Sequence, residues 1–219
     1  MTKKVKKPWP TKDAMTQIYE MKLWGGTGFD FYSGSGSHDA DIINPYLESI
    51  INFFKTHKNN LTVCDLGCGD FNIGKQLTQF TKKYIAADIV ERLIQRNKQI
   101  YQADNLEFHC LDLAKDKLPK ADCIILRQVL QHLSNLEIIS VVKKLKHYKF
   151  IILTEHIPLD TFIPNKDIIS GQGIRLKQNS GVNLLEAPFN LEVKKETLLD
   201  EYILNNKKGR IVTTLYKMF

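Results

Sequence analysis

Short apolar runs punctuate the middle of the chain: one ending at Asp65, then 84–88, 106–112, 121–126 and 150–154. The stretches between them change to a helical period. Such runs suit strands covered on both faces, and their alternation with helices predicts an α/β fold with a doubly wound, mostly parallel sheet. Helices are expected over 12–24, where Ala14, Ile18, Met21 and Leu23 form a stripe that the glycines 25–26 stop, and over 39–55, from Asp70 to about 80, and over 90–102. Ser134-Asn135-Leu136-Glu137 has the form of a capping box, followed by the apolar face Ile138, Ile139, Val142, Leu145. Two final runs, 198–204 and 210–216, surround a turn with Gly209 and read as an antiparallel hairpin.

The strand ends share a polar character. Asp65-Leu66-Gly67-Cys68-Gly69-Asp70 places a glycine turn after the first strand. Asp88 follows near the roughly 20-residue offset at which an acidic side chain takes ribose hydroxyls, and Asp112 and Arg127-Gln128 end the next two strands. Parallel sheets bind ligands outside these carboxyl ends, so the groups should converge on a nucleoside-like ligand. A plain turn is the other reading of the glycines. A nicotinamide dinucleotide fits less well, because the third glycine of G-x-G-x-x-G would fall on Asn72.

The D-L-G-C-G-D sequence resembles motif I of the class I S-adenosylmethionine methyltransferases, with Asp88 at the motif II position, Asp112-Leu113 at motif III and 121–128 at motif IV. Trp24-Gly25-Gly26, the serine-glycine run 33–37, residues 68–72 and 127–134 are also similar to a group of small bacterial methyltransferases. The resemblance implies a seven-stranded sheet with an antiparallel C-terminal pair, and S-adenosylmethionine as methyl donor. It further implies that Gly67 and Gly69 admit the methionine part, Asp65 its amino group, Asp88 the ribose, and Asp112 with Leu113 the adenine, with Ile89 a further cofactor contact. Trp24, Ser35, Ser37, Cys68, Phe71, Asn72, Arg127 and Gln128 complete the expected cofactor contacts. The Gly- and Ser-rich segment 30–37 reads as a lid or a flexible loop, and Arg127 as a partner of a ligand carboxylate or of an internal aspartate.

Composition narrows the class. A chain of 219 residues with 43% hydrophobic and 25% charged residues suits one α/β domain over 12–219, its helices and lid in 12–57, behind a basic flexible tail at 1–11. Prolines 8 and 10 stand where a signal peptide needs an apolar stretch, and no run approaches the ~18 residues of a membrane span. Cysteines 64, 68, 110 and 123 lack metal-ligand spacing, so reduced thiols, no metal and a cytoplasmic protein are expected. The net charge of +7 permits a nucleic-acid partner, but four lysines crowd into the first seven residues and the others are scattered pairs.

Methyl transfer to oxygen calls for a base. His132, after the fourth strand, is the first candidate; Glu155 and His156, at the end of the fifth, are the second. The aperiodic stretch 158–188 reads as the centre of an acceptor-binding insertion over 157–190, where Asn165, Asp167 and Arg175 offer polar contacts. The expected activity is O-methyl transfer to a sugar hydroxyl or another small polar molecule. RNA methylation and a non-catalytic subunit that binds S-adenosylmethionine are the alternatives.

Overall fold

The computed structural model describes residues 8–205 and 208–219. Its seven strands are β1 (Thr62–Leu66), β2 (Lys83–Asp88), β3 (Leu106–Cys110), β4 (Cys123–Arg127), β5 (Phe150–Ile157), β6 (Lys195–Ile203) and β7 (Arg210–Lys217), in one sheet ordered β3-β2-β1-β4-β5-β7-β6. β1 to β5 pair in parallel, whereas β7 runs antiparallel between β5 and β6. The mixed sheet is the one the sequence predicts. Its order reverses between β1 and β4, which opens a crevice beyond their carboxyl ends.

The near-continuous burial of β1, β2 and β4 follows from cover on both faces. On one face, Ile50 and Phe54 of α2 (Ala40–Thr56), Leu77 of α3 (Gly74–Leu77) and Ile94 of α4 (Glu91–Ile100) pack on Val63, Tyr84 and Ile125. On the other, Ile138, Val142 and Leu145 of α5 (Asn135–Leu145) join Leu184 and Phe189 over Leu66, Leu126 and Leu153. Ser134 accepts from the Glu137 amide and Glu137 reaches back to the Ser134 amide, so the capping box starts α5.

The helix expected from Asp70 begins only at Gly74 and β6 starts at Lys195 rather than 198, and two further boundaries differ for a visible reason. α1 (Thr11–Glu20) stops before the glycine pair, because Lys22 adopts a left-handed conformation at φ +51°. Leu23 N then donates to Ile18 O and Lys22 N to Tyr19 O, the Schellman arrangement with lysine in the usual glycine place. β5 runs on to Ile157 because its antiparallel partner continues to Arg210. In the C-terminal hairpin Leu204 N donates to Gly209 O, with Gly209 at φ +134°. The tail expected at 1–11 lies mostly outside the described residues.

Candidate active site

A cavity of about 380 Å³ occupies the crevice at the carboxyl ends of the strands. Gly67, Cys68 and Gly69 follow β1, Asp88 and Ile89 end β2, Asp112 and Leu113 follow β3, and Arg127 and Gln128 end β4; all line the cavity. His132 and His156 line its β4–β5 side, and Trp24, Ser35 and Ser37 come over it from the N-terminal segment.

The first turn is shaped by backbone and carboxylate together. Gly67 and Gly69 have φ of +82° and +55°, and a Cβ on Gly67 would stand 2.3 Å from Val129 Cγ2. Asp88 accepts from the amides of Gly69 at 3.1 Å and Val90 at 3.0 Å. A carboxylate has about four lone-pair sites, so acceptor capacity remains for a diol in the cavity. Burial raises the Asp88 carboxyl pKa, while those amide bonds act to lower it. A close-packed glycine turn beside a partly committed carboxylate fits an adenosyl group.

Asp112 lines the same end while its Oδ1 accepts from Ala114 N. Glu137, at the start of α5, also reaches the cavity; it accepts from the Thr11 and Ser170 hydroxyls and from Ser134 Oγ at 2.7 Å. One carboxylate thereby joins α1, α5 and the insertion. Burial pushes its carboxyl up, but the three hydroxyls together hold it below the ordinary value.

The segment 33–38 is fastened over the glycine turn. Asp70 Oδ2 accepts from Ser33 N at 2.9 Å and lies 2.6 Å from His38 Nε2, and Asp70 N donates to Ser33 Oγ. Arg127 Nη2 donates to Gly36 O at 2.6 Å, and Asn72 Nδ2 to Ser37 O at 2.7 Å. The Arg127 guanidinium also lies 4.7 Å from the Tyr46 ring centre. Gln128 turns the chain at φ +56°, a conformation rare for a residue with a side chain, and packs its amide on Gly36.

His132 sits in a fixed tautomer. Its Nδ1 donates to Gly171 O at 3.1 Å, so Nε2 carries the lone pair and accepts from Gln131 Nε2 at 3.3 Å. Trp24 packs on the ring at 5.3 Å between centres. Burial pulls the imidazole pKa down to about 4. A neutral ring with its lone pair already engaged is a poor base at neutral pH. The His156 ring lines the β5–β7 end near Leu204 and Ile211, and burial lowers its pKa as well.

Several expected contacts do not reach the cavity. Asp65 is buried behind it and accepts from Tyr84 OH at 2.9 Å; burial raises its carboxyl to about 7. Phe71 is fully buried in the α2–α3 core, and Asn72 holds the lid. Glu155 is buried beneath the turn at 130–133; burial raises its carboxyl to about 8, against the lowering effect of Arg175 and the Leu130 and Gln131 amides.

The insertion residues serve the same turn. Arg175, 1% exposed, donates to the carbonyls of Leu130, Gln131 and Leu133 and to Asn135 Oδ1. Asn165 ties together the backbone of Asn183 and Ala187, and Asp167 caps α5 by accepting from Asn135 N at 2.7 Å. Unpaired backbone groups and a helix start consume these side chains, leaving Gln172 and Ile174 as the insertion's cavity wall. Thr11, Met15, Tyr19, Gln131 and Gln172 also line the cavity without having been singled out from sequence. Periodicity marked Met15 and Tyr19 only as helix residues, and no local signal marks Gln172.

Among the described residues no group of three or more His, Cys, Asp or Glu side chains is placed to hold a metal ion, and no helix is long and apolar enough to cross a membrane.

Comparison with known proteins gives the same architecture. The magnesium protoporphyrin IX methyltransferase of Synechocystis PCC 6803, solved with S-adenosylmethionine, superimposes with a TM-score of 0.59 at 16% identity, over 97% of this chain and 100% of that one. Human N-acetylserotonin methyltransferase, in complex with S-adenosylmethionine, gives 0.61 at 16% identity, over 95% and 60%. The N-methyltransferase NodS of Bradyrhizobium japonicum WM9, in complex with S-adenosyl-L-homocysteine, gives 0.58 at 10% identity, over 94% and 99%. At these identities the likeness concerns the fold. No curated protein sequence matches the chain. The family model described as a methyltransferase domain matches residues 57–209, from the end of α2 to the C-terminal hairpin. The chain therefore belongs to the methyltransferase-domain family, within the class I S-adenosylmethionine-dependent superfamily.

Proposed function

We propose that the protein transfers a methyl group from S-adenosylmethionine to a hydroxyl of a small molecule. The observation that carries this reading is one cavity with two ends. The β1–β3 end has the glycine turn, Asp88 and Asp112; the β4–β7 end has Gln128, His156 and Ile211. Asp88 would take the ribose hydroxyls, Ile89 and Leu113 would flank the adenine, and Arg127 with the 33–37 segment would receive the amino-acid carboxylate. When bound, S-adenosylmethionine supplies an activated methyl and leaves as a thioether that keeps the electron pair of the broken carbon–sulfur bond.

The residues of the chain then orient the acceptor, exclude water and receive the hydroxyl proton. Of the expected bases, His156 is best suited to that last task. Burial keeps it neutral at neutral pH and its ring lines the acceptor end; the ring bonds the Lys208 backbone, but its Nε2 has no partner and needs only to be uncovered, whereas His132 is committed to Gln131 and Gly171. The roof formed by Trp24, His132 and Gln172 favours a small molecule over a polymer.

Labelled S-adenosylmethionine offered with a panel of small hydroxyl compounds and with RNA tests the proposal. Label should enter a small molecule, and His156→Ala should lower kcat at least tenfold with little change in S-adenosylhomocysteine affinity. Label in RNA alone would refute it, and binding without turnover on any acceptor would leave a cofactor-binding subunit.

A further inference from the structure

Charge is distributed unevenly along the cavity. The three carboxylates that reach it, Asp88, Asp112 and Glu137, lie at the β2–β3 side or at the start of α5. All three are engaged by backbone amides or hydroxyls. No carboxylate among the described residues lines the β4–β7 end, and residues 1–7 and 206–207 contain no Asp or Glu. Glu155 is buried beneath the neighbouring turn and Asp65 behind Arg127, neither facing the cavity.

The groups that face this end are apolar or neutral and polar. Val129, Leu204 and Ile211 form its walls, with Gln128, Gln131 and His156 as polar groups, while Arg127 at its edge has Asp65 and Asp200 acting on it. Arg127 Nε is buried with no hydrogen-bond partner. A substrate ammonium would be desolvated here with no carboxylate in the cavity wall to pair with it or to take its proton. A sugar would bury several hydroxyls against walls with few partners, at about 1–3 kcal/mol for each one left unpaired. A desolvated imidazole is a weak base, which favours a hydroxyl as acidic as that of tyrosine, about pKa 10, over an aliphatic alcohol.

We propose that the acceptor is a hydroxyl compound of the phenol class, with an apolar body and no positive charge, and that the β4–β7 end excludes ammonium acceptors. This rests on the methyltransferase reading of the same site. The acceptor oxygen bonds to the methyl carbon, its proton passes to His156, and the products are a methyl ether and S-adenosylhomocysteine.

A matched set on one ring tests the charge rule: 4-hydroxyphenylacetate, 4-methylphenol, tyramine and phenethylamine, with glucose as the polyhydroxyl member, each offered with labelled S-adenosylmethionine. The anionic and neutral phenols should be methylated on oxygen at least tenfold faster than tyramine, with no label in phenethylamine or glucose. Leu204→Asp, at a half-buried position by the hairpin turn, should reduce the preference for 4-hydroxyphenylacetate over tyramine at least tenfold. Faster transfer to an amine or to glucose, transfer to no phenol, or an unchanged preference in Leu204→Asp would overturn the inference. S-adenosylhomocysteine calorimetry on the same sample separates the two failures: no binding defeats the methyltransferase reading, whereas binding with the wrong acceptor defeats only the charge rule.

Discussion

At the scale of single residues, burial without charge compensation sets the behaviour of the site. His132 and Glu155 flank one turn and are both neutral at pH 7, for the same reason: desolvation. Their pH dependences run in opposite directions. The contribution of His132 to stability is complete above its ordinary value of 6.5 and is lost as pH falls through about 4. That of Glu155 is complete below 4.5 and is lost as pH rises through about 8. Urea unfolding from about pH 4 to 9 should therefore show His132→Gln flattening the acid limb by up to about 3 kcal/mol and Glu155→Gln the alkaline limb by up to about 5 kcal/mol. Equal slopes in variant and wild type would mean that water reaches these groups.

The aspartates at the strand ends were legible in sequence because short apolar runs stop at them, and the structure sets Asp88 and Asp112 on the cavity. Asp65 was legible as a strand-end acid, but its side chain is turned away and taken by Tyr84. Position along a strand fixes which end a residue occupies; neighbours from other elements decide what its side chain meets. Phe71 shows the same limit, since its left-handed backbone at φ +64° sends the ring into the core.

At the scale of elements, the glycine turn and the lid act as a pair. Gly67→Ala would carry a left-handed conformation costing roughly 1–2 kcal/mol and a clash with Val129. It should lower the thermal midpoint and weaken S-adenosylhomocysteine binding at least tenfold by calorimetry. Asp70 joins Ser33, His38 and its own turn, so Asp70→Ala should loosen 33–38. Faster limited proteolysis within that segment, together with faster ligand release, is the expected result. The clustering of Gly and Ser disclosed a lid, but not its fastening, because Asp70 and Asn72 come from the turn after β1 and Arg127 from the end of β4. The early end of α1 was hidden similarly, since lysine rather than glycine occupies the left-handed position.

At the scale of the whole molecule, the reversal of strand order between β1 and β4 creates the crevice, and the N-terminal segment and insertion close it. Alternating strands and helices made the sheet legible, because parallel pairing demands crossovers on both faces. The insertion's role was not legible. Arg175 and Asn165 are polar in a loop, which suits ligand contact as well as bracing, and only the packed chain shows them spent on backbone carbonyls. The most direct measurement of the central claim is calorimetry of the wild-type chain and Asp88→Asn with S-adenosylhomocysteine and, separately, NADH. One saturable site for S-adenosylhomocysteine, weakened at least tenfold by Asp88→Asn, with no heat from NADH, is the predicted result. Saturable binding of NADH with none of S-adenosylhomocysteine would contradict it.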